Sequence, residues 1–235
     1  MLYPRVSNTE DLAPLLAEPD LHLTWVTDPA LARGMDLLAL PGSKATVGDL
    51  VQLTASGMAE AIRAAHAAGT WVLGVCGGYQ MMGQSLSDPH RGEGGPGAFP
   101  GLGLLPTATA FLPEKVTREA ASRSRWPEAG HPLAGYEIHH GRTRCEGQGG
   151  VPLAEGGAEL GWAGDRACGA YLHGLMACDP WRASFLNRVR RDRGFPEQPV
   201  RTADPLEQRI ARWAEHLARS LRGDAFARIL AAVGR

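Results

Sequence analysis

Residues 71–83, Trp71-Val72-Leu73-Gly74-Val75-Cys76-Gly77-Gly78-Tyr79-Gln80-Met81-Met82-Gly83, decide how the rest of the chain is read. Trp71 to Val75 is an apolar, β-prone run bounded by Gly69 and Thr70, and the residues after Cys76 are helix-permissive. Cys76 therefore falls at a strand-to-helix junction. Glycines at 74, 77 and 78 allow a sharp turn that lifts the thiol clear of a sheet. The same turn sets backbone N–H groups and a helix N-terminus beside the sulfur, which favours a thiolate and any oxyanion formed next to it. The stretch reads as a reactive-cysteine elbow. The competing reading is a buried structural cysteine under a glycine-rich turn, because free cysteine is among the most buried residue types.

Working outward, Leu21–Thr27 alternates as a strand does, and Met35–Leu40 is a nearly continuous apolar strand ending at Pro41-Gly42. Continuous apolar strands are buried on both faces, as in a parallel sheet. Asp49 opens a helix that runs, with an interruption near Ser56-Gly57, to a stop at Gly69. Upstream, Ser7 or Asn8 caps a short turn carrying Leu12, Leu15 and Leu16. Downstream, the breaker-rich stretch Ser87–Gly103 reads as a surface loop. Leu104–Leu112 and Gly135–Cys145 read as β segments separated by a polar stretch; Glu159–Trp162 and Ala167–Leu172 read as short strands. Trp181–Arg193 and Asp204–Val233 read as helices, the last with Leu206, Ile210, Trp213, Leu217 and Leu221 on one face. Strands alternating with helices predict an α/β, doubly wound, mostly parallel sheet with C-terminal helices.

At 235 residues the chain is long enough for one large α/β domain. The expected organisation is a single domain over 1–235, with 204–234 as a C-terminal helical segment. A net charge of −1, with no basic run, argues against nucleic-acid binding. No apolar run approaches the ~20 residues of a membrane span, and the N-terminus has no signal-peptide core, so a cytoplasmic location is expected. Cys76, Cys145, Cys168 and Cys178 are scattered, which signals neither a zinc site nor a disulfide framework.

A cysteine nucleophile needs a base. Of eight histidines, His66 and His216 sit in helical patterns and His90 and His131 in loops, whereas His173 ends the apolar strand Gly169-Ala170-Tyr171-Leu172-His173-Gly174. The carboxyl edge of a parallel sheet is also where Cys76 emerges, so the two can meet despite their separation in sequence. The competing reading of His173 is a satisfied strand-end histidine. His139 and His140 are adjacent on a strand and point to opposite faces, which argues against a metal site there.

Gly74-Val75-Cys76-Gly77-Gly78-Tyr79-Gln80 resembles the nucleophile elbow of class I, flavodoxin-like glutamine amidotransferases. Leu40-Pro41-Gly42-Ser43-Lys44, Gly135-Tyr136-Glu137-Ile138-His139-His140-Gly141-Arg142-Thr143, Tyr171-Leu172-His173-Gly174-Leu175 and the opening Pro4-Arg5-Val6-Ser7-Asn8 are similar to the cobyric acid synthase branch. The resemblance implies a Cys76 nucleophile and a His173 general base and acid. It implies an oxyanion hole from the backbone of Gly42, Ser43 and Gly77, with Gln80, Arg142 and His139 as glutamine-binding candidates. It further implies that ammonia from glutamine serves amidation of a corrinoid, adenosylcobyrinic acid a,c-diamide, by an ATP-binding synthetase domain. The Gly-rich ATP loop of such a domain is absent from these residues, so no cofactor is expected in this chain, with ATP and Mg expected only in the missing synthetase domain or a partner polypeptide. The wider class orients its histidine with a glutamate two positions on; that position is Leu175 here, leaving a Cys–His dyad or another acid, with Glu137 and Asp179 as possibilities. The alternatives are a stand-alone glutaminase subunit amidating lipid II with a Mur-ligase-like partner, another cysteine hydrolase or chaperone on the same elbow, and a non-catalytic binding module.

Overall fold

The computed structural model describes residues 1–90, 97–156, 160–202, 210, 211 and 213–216. In chain order the strands and helices are β1 (Val6–Ser7), β2 (Leu37–Leu40), β3 (Gly42–Ser43), α1 (Thr46–Ala55), α2 (Met58–Ala67), β4 (Trp71–Val75), α3 (Gly77–Met81), β5 (Ser85–Ser87), β6 (Ala98–Pro100), β7 (Thr107–Arg123), β8 (Pro132–Cys145), β9 (Val151–Pro152), β10 (Gly161–Gly164), β11 (Ala167–Ala170) and α4 (Asp179–Arg193). A five-stranded sheet in the order β2-β4-β11-β10-β9 carries the fold. β2, β4 and β11 are parallel, and β10 and β9 continue the sheet antiparallel.

Strand alternation sorts side chains into two cores, one on each face of this sheet. Leu38, Leu40 and Val72 pack with Leu50, Leu53 and Ile62 of α1 and α2. Leu37, Trp71 and Leu73 pack with Trp181, Phe185 and Val189 of α4. β4, buried at all five residues, is sandwiched between them, as its unbroken apolar run predicts.

Several boundaries and elements differ from the sequence expectations. The first helix opens at Thr46, not Asp49, and breaks as expected: Gly57, at φ 77°, sits between α1 and α2. Leu21–Thr27 forms no ladder among the described residues. Thr9–Ala17 is a 3₁₀ helix whose preceding Asn8 is left-handed (φ 54°, ψ 42°) and makes no capping bond with its side chain. Within Ser87–Gly103, read as a loop, Ala98–Pro100 pairs antiparallel with Ser85–Ser87, while 91–96 lie outside the described residues. Backbone pairing needs no apolar run, so breaker-rich composition hid the strand. The polar stretch after Leu112 is strand too: β7 and β8 form a long antiparallel ribbon with a break in register between Phe111 and Val116. Much of the outer ribbon is exposed, so no apolar alternation marks it. Of the predicted strand Glu159–Trp162, Gly161 and Trp162 lie in β10, and residue 159 is outside the described set. Ala167–Leu172 ends as a strand at Ala170.

The described chain divides into two compact units, Met1–Arg201 and Thr202–Arg235. In the second, Ile210, Ala211 and Trp213 to His216 are helical; the remainder of the expected helix Asp204–Val233 lies outside the described residues. Among the described residues no helix is long and apolar enough to cross a membrane.

Candidate active site

Cys76 sits between β4 and α3 at φ 49°, ψ −109°, a backbone conformation that costs a non-glycine residue energy and must be held by its surroundings. Its N–H donates to Ala170 O at 2.8 Å, and its carbonyl accepts from Gln80 N at 3.0 Å. Close packing enforces the glycines around it. A Cβ at Gly78 would collide with Leu40 O and lie 2.6 Å from Pro41 O, one at Gly77 would lie 2.8 Å from Ser43 N, and one at Gly74 2.7 Å from Tyr79 Cα. The elbow can thus seat tightly against the ends of β2 and β3 only without side chains at these positions. The thiol is partly exposed and donates to Ile138 O of β8 at 3.7 Å.

His173 lies just beyond β11, the strand next to β4 in the sheet, and is 1% exposed. Its Nδ1 donates to Asp11 Oδ2 at 2.7 Å, and Asp11 Oδ1 accepts from Gly174 N at 2.9 Å. One carboxylate therefore fixes both the ring and the backbone behind it. The Tyr136 ring stacks on the imidazole at 4.8 Å and 15°. Asn8 Nδ2 lies 3.3 Å from both Nδ1 and the Tyr136 hydroxyl oxygen, which explains why Asn8 does not cap the helix it precedes. Among the described residues the buried Nε2 has no hydrogen-bond partner, and Cys76 is one of the groups that favour the charged ring. Burial opposes the charged imidazole, but the Asp11 carboxylate first and Cys76 second outweigh it and raise the pKa to about 9.

The structure thus brings Cys76 and His173 together and adds Asp11, which the sequence reading missed. Neither acid considered from spacing fills that place. Glu137 is bound to Arg118 Nε at 2.8 Å and His139 Nε2 at 3.1 Å; burial would raise its carboxyl, yet these two bonds hold it below its ordinary value. Asp179 accepts from Arg182 Nη1 at 2.6 Å.

The remaining candidates divide. Lys44 N donates to Arg5 O at 2.9 Å, and main-chain groups alternate sides along a strand. Gly42 N–H therefore faces β1, whereas Ser43 N–H faces away from it, toward Gly77. Of the two residues expected to offer a second oxyanion donor, only Ser43 has its amide on the elbow side. Its turn is pinned by Ser43 Oγ donating to buried Asp49 at 2.6 Å. Gln80 is not a free substrate contact: its Oε1 accepts from Thr46 Oγ1 at 3.1 Å and its Nε2 donates to the Tyr171 hydroxyl at 3.2 Å, all in the interior. His139 is likewise spent, between Gly141 O at 2.8 Å and Glu137, with its ring stacked on Tyr171 at 3.6 Å. Both residues are bonded into the packing around the elbow. Arg142 is half-buried and alternates onto the same strand face as Tyr136 and Ile138, with Nη1 3.4 Å from the carbonyls of His140 and Gly141. Among the described residues no cluster of three or more His, Cys, Asp or Glu is placed to hold a metal.

Two solved structures share this arrangement of elements: a glutamine amidotransferase, at TM-score 0.56 and 17% identity over 79% of this chain and 91% of that one, and PurLQS from Thermotoga maritima, at TM-score 0.55 and 17% identity over 80% and 96%. The fold is that of the glutamine amidotransferases. More narrowly, the profile of the CobB/CobQ-like glutamine amidotransferase domain matches residues 1–181, and the chain belongs to that family. Among similar sequences, the cobyric acid synthase of Synechococcus sp. (strain JA-3-3Ab) is 42% identical over 210 residues, 88% of this chain and 41% of that protein. The cobyric acid synthase of Gloeobacter violaceus is 43% identical over 206 residues, again 88% and 41%. The chain spans about two-fifths of the length of these relatives.

Proposed function

We propose that the chain is the glutaminase part of a cobyric acid synthase, releasing ammonia from glutamine for amidation of a corrinoid carboxylate by an ATP-dependent synthetase part. The observation that carries the glutaminase reading is the Asp11–His173 bond at 2.7 Å behind a strained Cys76 elbow. The corrinoid reading rests on the 42–43% identity to cobyric acid synthases, which favours it over the peptidoglycan alternative.

In this reading the Cys76 thiol gives its proton to His173 Nε2 as Sγ attacks the side-chain amide carbon of glutamine, forming a C–S bond and moving the carbonyl π electrons onto oxygen. The N–H groups of Ser43 and Gly77 receive that oxyanion; losing one such donor costs about 3 kcal/mol of transition-state stabilisation. Collapse expels ammonia, which takes a proton from His173 Nε2 and leaves a γ-glutamyl thioester. His173, now neutral, removes a proton from the water that cleaves the thioester, giving glutamate and free Cys76. Asp11 holds the ring with Nε2 toward the sulfur throughout. Arg142 is the cation we assign to the glutamine α-carboxylate, because its guanidinium can pair with it bidentately.

Ammonia release from glutamine by the chain and by Cys76→Ala, each with and without the ATP-binding part of a cobyric acid synthase, tests the proposal. Release that disappears in Cys76→Ala is expected, with stimulation by the synthetase part and ATP. Release unchanged in Cys76→Ala would sink the assignment of the nucleophile. Stimulation by a Mur-ligase-like subunit alone would move the acceptor to a peptidoglycan precursor.

A further inference from the structure

Asp49, on the first turn of α1, is wholly buried and takes no part in the steps assigned to Cys76 and His173. A carboxylate taken out of water must be met by donors. Ser43 Oγ donates to its Oδ2 at 2.6 Å, Arg5 N donates to its Oδ1 at 3.2 Å, and Arg5 Nη1 lies 3.6 Å from the same oxygen. The shortest of these contacts is the one to Ser43, and an O–H···carboxylate bond of that length is among the strong ones.

Ser43 is also the residue whose amide faces the elbow. A Cβ at Gly77 would lie 2.8 Å from Ser43 N and 3.0 Å from Ser43 Cβ, so nothing separates the two residues that offer N–H groups to an oxyanion. Ser43 Oγ accepts from Ala45 N at 3.0 Å and gives its single proton to Asp49, which leaves the amide as the donor Ser43 can offer. Little else fixes that amide. β3 is two residues long and forms a two-stranded sheet with the equally short β1. The Arg5 main chain closes a ring around the turn, its carbonyl accepting from Lys44 N at 2.9 Å while its N–H goes to Asp49, and Asp49 N donates to Ala45 O at 2.9 Å. Asp49 is the point where these bonds meet.

We propose that Asp49 is a positioning residue: acting through Ser43 Oγ and the Arg5 main chain, its carboxylate holds the Ser43 N–H beside that of Gly77. The inference rests on the glutaminase reading for its substrate, but a placed N–H serves any acyl transfer to Cys76 that passes through a tetrahedral oxyanion. Moving such a donor by about 1 Å costs on the order of 100-fold in rate.

Four variants of the full chain test this: Ser43→Ala, which keeps the amide and removes only the hydroxyl; Asp49→Ala; the two combined; and Asp49→Asn, which keeps an oxygen able to accept from Ser43. Each is assayed well below its own Tm for ammonia release from glutamine, for Cys76-dependent release of p-nitrophenol from p-nitrophenyl acetate, and for alkylation of Cys76 by iodoacetamide, a displacement at saturated carbon that forms no oxyanion. In Ser43→Ala and Asp49→Ala, kcat for glutamine and the ester rate are expected to fall about 100-fold, with KM and the alkylation rate within about twofold of the parent. Asp49→Asn should lose less, and the double variant no more than Asp49→Ala, because both substitutions break one bond. Parent-like kcat and ester cleavage in Ser43→Ala overturns the proposal, whether or not Asp49→Ala folds. Alkylation that falls in step with the other rates overturns it too, since the loss then belongs to the whole elbow, as do losses that multiply in the double variant. Ester cleavage that falls as expected in a chain releasing no ammonia from glutamine keeps the role of Asp49 and overturns the glutaminase reading instead.

Discussion

Asp11 meets His173 across 162 residues of sequence, and this bond sets the pH behaviour of the base. With its pKa raised to about 9, the ring at neutral pH keeps the proton it takes from Cys76 and can donate it to departing ammonia. Glutaminase activity is therefore expected to fall as pH rises through about 9. In Asp11→Asn the main group favouring the charged ring is gone and burial still opposes it, so that basic limb should move toward neutrality, with kcat/KM at pH 7 lower by about 100-fold. A pH–rate profile checks both, and an unmoved limb would remove Asp11 from this role. The same shift has a stability sign. A folded pKa above the unfolded value of 6.5 adds stability that is complete below about pH 6.5 and is lost as pH climbs through 9. Urea unfolding at pH 6 and pH 9.5 should show that loss in the parent chain and much less of it in Asp11→Asn. Cys76 and His173 were legible in sequence because their signals are local: a glycine-spaced elbow and a histidine ending an apolar strand. Asp11 was not, because a single acid on a 3₁₀ turn carries no spacing that points to a ring 162 positions away. Gln80 and His139 lie beside the site in sequence, and the structure adds what spacing does not show, that their polar atoms are bonded to Thr46, Tyr171, Gly141 and Glu137.

The elbow depends on how closely α3 seats against the ends of β2 and β3, and the glycines measure that fit. Gly78→Ala puts a Cβ against the Leu40 and Pro41 carbonyls, rigid backbone that cannot turn aside. A cost of about 3 kcal/mol or more is expected, a Tm lower by roughly 6–12 °C, along with loss of glutaminase activity. Gly57→Ala is the contrasting variant. Nothing lies within 4 Å of its Cβ, so only the left-handed backbone at φ 77° is charged against it, about 1 kcal/mol, with activity kept. Thermal melts of the two separate close packing from backbone preference; equal losses would mean that the elbow does not need its tight seat. Elements with apolar periodicity, β4 and the α1–α2 pair, were readable from sequence to within a few residues. The outer ribbon of β7 and β8 was not, because exposed strands are held by main-chain pairing that composition does not report.

At the scale of the molecule, the segment bearing Asp11 is tied down at two points to residues far along the chain. Asp11 holds it to His173, and Glu18 holds it to α4, with Oε1 accepting from Arg182 Nε at 3.1 Å and Oε2 from Arg190 Nη2 at 3.0 Å. Asp20 adds a second carboxylate on Arg190, at 2.8 Å, and the side chains of Glu18, Arg182 and Arg190 are 1%, 0% and 4% exposed. The cluster therefore ties α4, on one face of the sheet, to the segment whose Asp11 is bonded to His173 at the sheet's end. Glu18→Ala leaves two buried guanidinium groups short of a carboxylate and is expected to cost about 3–5 kcal/mol. If the cluster serves only stability, glutaminase activity measured well below the lowered Tm should match the parent chain. If it also holds Asp11 in register, kcat should fall at that temperature, and the basic limb of the pH profile should shift in the same direction as in Asp11→Asn. The coupled outcome is the one expected, because Asp11 lies on the short 3₁₀ turn that Glu18 directly follows, so releasing the Glu18 end frees one side of the turn that carries Asp11.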